Sequence, residues 1–367
     1  MPDPTSLVQH SLPRALRIAT GAAMLAGASF TSGALARQDQ PAPPPRSDFD
    51  VSSTLARSQL REAAIATLVE ASKSEDALIR ANAIEAIQKV PSRALDAVRR
   101  GLRDENVGVR YVAAMTASKL RLREAVRDLE PLLEDPEPVV RAAAICALRN
   151  CGQDVDPTPI ARMLASQNLR LRAQAAFTLG ELGDSSAIPM LRDMTSDHPD
   201  VGLPSEQRLF RLQVAEALIK LGWKDGIHAV RAALYPSSPE EIEGAILAAQ
   251  VIGEVRDRGS VPELVNRVED RVSGSRDYLM PPEMRMAAAM SLAKMGYTDG
   301  RYVAMEYITH ISEILRQQAV ITLGFTGTLD DLQILDAMMR DDPAPLVRVG
   351  SASAILTLAE RYGAAVR

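Results

Sequence analysis

The feature that most constrains this chain is that it repeats. With Arg172 as origin, Ala175 and Ala176 follow at +3 and +4, Leu179 at +7 and Leu182 at +10. The same template fits Arg80 with Ala83, Ile84, Ile87 and Val90, and Arg110 with Ala113, Ala114, Ala117 and Leu120. It recurs from Arg141, Arg211, Arg285, Arg316 and Arg348, and once more with Ala245 where the Arg should stand. The nine origins are separated by 30, 31, 31, 39, 34, 40, 31 and 32 residues. A period near 31 residues is too short for a globular domain and right for two helices with their turns, which is the signature of a solenoid.

The columns explain why such a unit packs. Apolar groups at +3, +4, +7 and +10 share one helix face. Small residues at +3 and +4 let neighbouring helices approach closely. A second amphipathic segment recurs between copies, as in AVRDLEPLLED before Arg141 and AIPMLRDM after Gly183. Gly152, Gly183, Gly222, Gly296 and Gly327 fall at +11, where a helix ends, and Asp184 and Ser185 suit the cap of the next one. Aromatics make up only 4% of the chain, a composition suited to closely packed helices and not to sheets. The expected fold is all-α, a right-handed α-solenoid (alpha-alpha superhelix, armadillo-like) of about nine helical hairpins over residues 55–367.

The segments EDPEPVVRAAAICALRNCG, LRAQAAFTLGELGDSSAIPML and RDDPAPLVRVGSASAILTLAERYG resemble HEAT repeats of the short type found in phycobilisome lyases and many bacterial proteins. In that family a turn Asp and an Arg opening the second helix form ladders between units. The resemblance implies a structural ladder of Asp104, Arg110, Asp135, Arg141, Arg172, Asp342 and Arg348, in which Asp104 with Arg110, Asp135 with Arg141 and Asp342 with Arg348 match the pattern at a separation of six. Ser166 replaces the Asp before Arg172, and Ala245 removes one Arg, so the ladder should be interrupted.

The N-terminus reads differently. Arg14 and Arg17 precede an uncharged stretch, Ile18 to Ala36, that closes on Ala34-Leu35-Ala36, a pattern that signal peptidase accepts. Residues 1–36 are therefore expected to be a signal peptide and the protein exported, to the periplasm or the extracellular space. Residues 37–54 carry Pro41, Pro43, Pro44 and Pro45 and read as a disordered tether. The chain after residue 36 holds 40 basic and 46 acidic residues, a balance that gives no overall field for nucleic acid.

Chemistry is hard to find. Cys146 and Cys151 lie five apart on one helix, beyond the roughly 7 Å Cα separation a bridge tolerates, and read as packed small residues. The histidines are scattered, and no metalloprotease, nucleophile-elbow, phosphate-loop or dinucleotide motif occurs. No catalytic, cofactor-binding or metal-binding residue is assigned. The two long intervals hold SDHPDVGLPSEQRLF and RVSGSRDYLMPPEM in equivalent connections. Both should emerge on one edge, where Leu203, Pro204, Tyr278, Leu279 and Met280 offer apolar anchors for a partner, or else represent tolerated loop drift. A second candidate surface is the inner helical face, with Tyr111, Met115, Lys119, Arg149, Gln174, Phe177 and Glu181 expected to be exposed. The expectation from residues alone is a non-catalytic exported scaffold that binds a protein or peptide. The alternative, implied by the resemblance, is an enzyme or enzyme accessory of the kind that attaches bilins to cysteines of target proteins.

Overall fold

In the computed structural model, residues 43–194, 204–270 and 279–364 are described. Among them every regular element is helical, and the helices alternate between an outer and an inner layer. The first hairpin is α1 (Thr54–Ala71) with α2 (Ala77–Ala86), followed by α3 (Pro91–Leu102) with α4 (Val107–Leu120) and the short α5 (Val126–Leu129) with α6 (Pro138–Asn150). Next come α7 (Thr158–Met163) with α8 (Leu169–Leu182), α9 (Ile188–Asp193) with α10 (Pro204–Lys220), and α11 (Gly226–Ala232) with α12 (Ile242–Val255). The last three are α13 (Val261–Glu269) with α14 (Pro282–Lys294), α15 (Arg301–Tyr307) with α16 (Glu313–Thr326), and α17 (Asp331–Asp341) with α18 (Pro345–Ala364).

Local signals start and stop these helices where the sequence places them. Asp76, Asn106 and Asn168 cap α2, α4 and α8 by accepting the N–H of Leu78, Gly108 and Arg170. Each cap satisfies a backbone donor that the helix itself leaves open. At +11, Gly152, Gly183, Gly222 and Gly296 adopt positive φ, as a left-handed helix end requires. Gly327 differs, with φ −68 and ψ 167. Arg121 and Arg256 occupy the same +11 place and are forced to φ 50 and φ 54. A side chain there strains the backbone by about 1–2 kcal/mol, partly offset by the chain entropy of Gly. Arg121→Gly should therefore stabilise the fold by about 1 kcal/mol, read as a higher urea midpoint.

Inner helices pack side by side through the small columns. A Cβ on Gly180 would sit 2.9 Å from the Ala217 Cα, and one on Gly324 2.8 Å from the Ala354 Cα. These close approaches pull the inner layer into a tight curve. As a result the array closes on itself: α18 packs against both α1 and α2. Leu60, Ile65 and Leu68 of α1 share one core with Val347, Ile355 and Leu358 of α18. The ring is narrow enough for helices two apart to touch. Tyr111 of α4 hydrogen-bonds Gln174 of α8, and the Gln317 Nε2 of α16 donates to the Asn82 Oδ1 of α2 at 3.2 Å.

Closure revises two expectations. Tyr111, Met115, Gln174 and Phe177, expected on an exposed inner face, are buried because the inner layer faces itself. Lys119 remains exposed, and Arg149 and Glu181 are half-buried. α18 continues to Ala364, and Arg361 donates to the Gly327 carbonyl at 3.2 Å. The tether is also shorter than expected, since the Ser47 N–H donates to the Gln333 carbonyl at 3.1 Å and Gln333 Nε2 donates to the Phe49 carbonyl at 3.0 Å. Phe49 and Val51 pack on the core, which gives this segment apolar anchorage that its prolines lack. Residues 1–42, which include the segment 1–36 expected to be a signal peptide, lie outside the described residues.

Candidate functional site

Of the five loop residues proposed from sequence, three are described. Leu203 and Tyr278 lie outside the described residues. Pro204 is exposed at the start of α10, while Leu279 and Met280 precede α14, two hairpins further on. Leu279 is 52% exposed, and Met280 turns inward against the core.

The ladder runs between hairpins. Arg80 Nε and Nη2 donate to the two Asp104 carboxylate oxygens of the next unit at 2.8 and 2.7 Å, and Arg110 does the same to Asp135 at 2.7 and 3.1 Å. Arg316 and Asp342 repeat the pair at 2.9 and 3.0 Å. Within its own unit each Arg uses Nη1 on turn carbonyls, Arg110 on Asp104 and Arg348 on Asp342, at 2.9 and 3.0 Å. Arg172 breaks the pattern, with its guanidinium over the Phe210 ring at 4.8 Å and Nη2 beside the Met194 sulfur. These bidentate pairs fix the stacking register and carry no reactive group.

The titratable groups that do converge lie on the C-terminal halves of the inner helices, facing the ring axis. At +9 stand Lys89, Lys119, Glu181, Lys220, Glu254 and Lys294, with Glu85 and Glu216 one turn deeper at +5. Lys220 bridges Glu181 at 2.6 Å and Glu216 at 2.7 Å, and its ammonium lies 4.8 Å from the Phe177 ring centroid. Lys294 pairs with Glu254. Burial alone would lower Lys220, but Glu216 and Glu181 outweigh it and raise the pKa. Burial likewise opposes ionisation of Glu254, and the adjacent Lys294 lowers its pKa nonetheless.

Glu85 is the odd member. Burial pushes its carboxyl up to about 7, against the pull of Lys119 and Lys294 from two other hairpins. Such a group can hold or release a proton near neutrality. Its folded pKa exceeds the unfolded value, so ionisation disfavours the fold. The penalty is absent below about pH 4, grows as pH rises towards 7, and stays constant above. Glu85→Gln should thus raise the melting temperature at pH 8 and leave it unchanged at pH 4. Equal effects at both pH values would place the proton elsewhere.

Cys146 and Cys151 are buried and unbridged. Burial pushes the Cys146 thiol up to about 11, and its sulfur lies 3.4 Å from the Ser118 hydroxyl, so it is a packed residue and not a nucleophile. Among the described residues no cluster of His, Cys, Asp or Glu could hold a metal, and no helix is long and apolar enough to cross a membrane. Sequence reasoning missed the axial cluster because its charges are spread over six repeats. The signal was present in the +9 column, where Glu181 precedes Lys220 and Glu254 precedes Lys294.

A closed ring of helical hairpins, bound unit to unit by Arg–Asp rungs, defines an α-solenoid protein. Residues 56–149 and 276–356 match the family of HEAT repeats, and residues 171–197 match the PBS lyase HEAT-like repeat. Both HEAT repeats and a PBS lyase HEAT-like repeat are thus found in the chain. It is 25% identical over 251 residues to phycocyanobilin lyase subunit alpha of Picosynechococcus sp. (strain ATCC 27264 / PCC 7002 / PR-6), spanning 64% of this chain and 90% of that one. Among solved structures it is similar to the complex of CpcE and CpcF of phycocyanin lyase from Nostoc sp. PCC7120, with TM-score 0.40, 20% identity, and 73% and 94% of the two chains covered. Human deoxyhypusine hydroxylase in complex with glycerol gives TM-score 0.38 at 15% identity, over 74% and 98%.

The reading as a non-catalytic exported scaffold is corrected by the first of these. The relative is a lyase subunit matched over most of its length, which favours the alternative of a lyase-type enzyme accessory.

Proposed function

We propose that this chain is an accessory subunit of a lyase-type assembly that acts together with a partner protein on a small-molecule adduct of a third. The observation that carries this reading is the likeness to phycocyanobilin lyase subunit alpha, which extends over 90% of that subunit and 64% of this chain, and so takes in several hairpins and not a single degenerate repeat. The geometry is compatible with an accessory role. The buried thiols are unreactive, whereas the axial cluster offers a carboxyl that changes charge near neutral pH beside several ammonium groups. Such a cluster can steady a carboxylate-bearing ligand or shuttle a proton while bond making occurs on the partner.

The test combines the purified full chain with phycocyanobilin and an acceptor protein whose bilin cysteine is empty, with and without a second lyase subunit. The expected result is bilin absorbance retained on the denatured acceptor well above the yield without this chain. A yield indistinguishable from the chain-free mixture, in both arrangements, would overturn the reading.

A further inference from the structure

We infer that Arg141 forms a preorganised carboxylate-binding site, open to a carboxylate from outside the chain. Its charge partner has been removed from the ladder while the rest of the rung has been kept. In the filled rungs the guanidinium is held from behind by Nη1 bonds to two carbonyls of its own turn. For Arg80 these are Ser74 and Glu75 at 2.8 and 2.9 Å, and for Arg316 they are His310 and Ile311 at 2.8 and 3.1 Å. That anchorage aims Nε and Nη2 at the next unit, where a carboxylate accepts both.

Arg141 keeps the anchorage. Its Nη1 donates to the Asp135 and Pro136 carbonyls at 2.6 and 3.1 Å. The turn of the next unit is also kept. In filled rungs the Asp oxygen accepts the N–H two residues on, Asp104 from Asn106 and Asp135 from Glu137, both at 2.9 Å. Ser166 takes the same place, its hydroxyl accepting the Asn168 N–H at 3.1 Å. The hydroxyl preserves the turn but supplies no anion. Among the described residues, Nε and Nη2 of Arg141 have no hydrogen-bond partner, and the residue is only half-buried. An anchored, planar, accessible fork fits a carboxylate bidentately and needs little ordering to bind one. Arg348 has only its Asp342 bond and stands in the last unit, so it serves as an internal comparison.

The source of the carboxylate, a free acid or an acidic side chain of another protein, is decided by the experiment. In the full chain with 15N-labelled arginine, the Hε resonances of Arg80, Arg110, Arg316, Arg141 and Arg348 are followed. Sodium acetate and an end-blocked oligoglutamate peptide are titrated, with sodium chloride at matched ionic strength as reference. Arg141 is expected to shift with acetate or peptide and not with chloride, while Arg80, Arg110 and Arg316 stay still. A response at much lower concentration of peptide assigns the site to an acidic protein segment, and an equal response per carboxylate assigns it to free acids. In Ser166→Asp the fork should be filled from within, its Hε resembling that of Arg110 and no longer responding. Arg141→Gln, a milder change, should remove the responding resonance and leave the melting temperature near that of the parent. Absence of any shift with acetate and peptide, an equal shift with chloride, or an undiminished response in folded Ser166→Asp would each overturn the inference.

Discussion

Leu179→Asp is expected to bring down the whole ring in a single transition, not only its own hairpin. Leu179 is 4% exposed, in a core with Ala176, Val214 and Leu218 that joins α8 to α10. A carboxylate placed there has no cationic or polar partner, and a cost of about 4 kcal/mol or more follows. In an open solenoid the damage would stay local, because units beyond the break keep their neighbours. In this ring α18 rests on α1 and α2, so every unit is flanked twice and a break exposes two faces at once. The introduced Asp would have a folded pKa above its unfolded value of about 3.9. The charge-dependent part of the destabilisation should therefore fade as pH falls through the raised folded pKa, and be gone below about 3.9. Thermal melts followed by circular dichroism, with hydrogen exchange by mass spectrometry, check this. A stepwise melt in which the first and last hairpins stay protected would show that the ring is not one cooperative unit.

Arg285→Ala should be nearly as damaging, although the lost residue is charged. Arg285 is 1% exposed and donates to both Glu306 carboxylate oxygens at 2.9 and 3.0 Å, to the Val268 carbonyl at 3.1 Å and to the Tyr307 hydroxyl at 2.7 Å. Truncation removes a large buried side chain and leaves those acceptors without it. Breaking a buried pair by removing one partner costs about 3–5 kcal/mol, and the partial exposure of Glu306 places the value toward the lower end. Urea unfolding should show the loss as a lower midpoint, and Arg285→Ala with Glu306→Gln should recover part of it. No recovery in the double variant would mean that lost packing, and not an uncompensated carboxylate, sets the cost.

Arg285 also shows how the ladder could be read only in part. Its Arg origin marked the repeat, yet its acid is Glu306 of α15, reached where neither the period nor the six-residue spacing points. The same spacing paired Asp104 with Arg110, whereas the Asp104 carboxylate belongs to Arg80 of the preceding unit and Arg110 holds only the Asp104 carbonyl. One sequence spacing thus encodes two different bonds, and the longer one requires the stacking to be known. The Gly at +11 announced left-handed helix ends in four copies, but Arg121 and Arg256 do the same with residue types that give no warning. Of the loop anchors, Met280 packs against the core, which no turn pattern reveals.

The chain's own sequence determined the unit, its helices and their apolar faces, because these follow from local spacing: a 3.6-residue period, small residues at +3 and +4, and caps at the turns. Only the tertiary structure decided that nine such units close into a ring, bury Tyr111 and Gln174, and gather Glu85, Lys220 and Lys294 about one axis. Closure is the sum of small rotations between successive hairpins, each set by how near two helices can come. No single column of the repeat carries that sum.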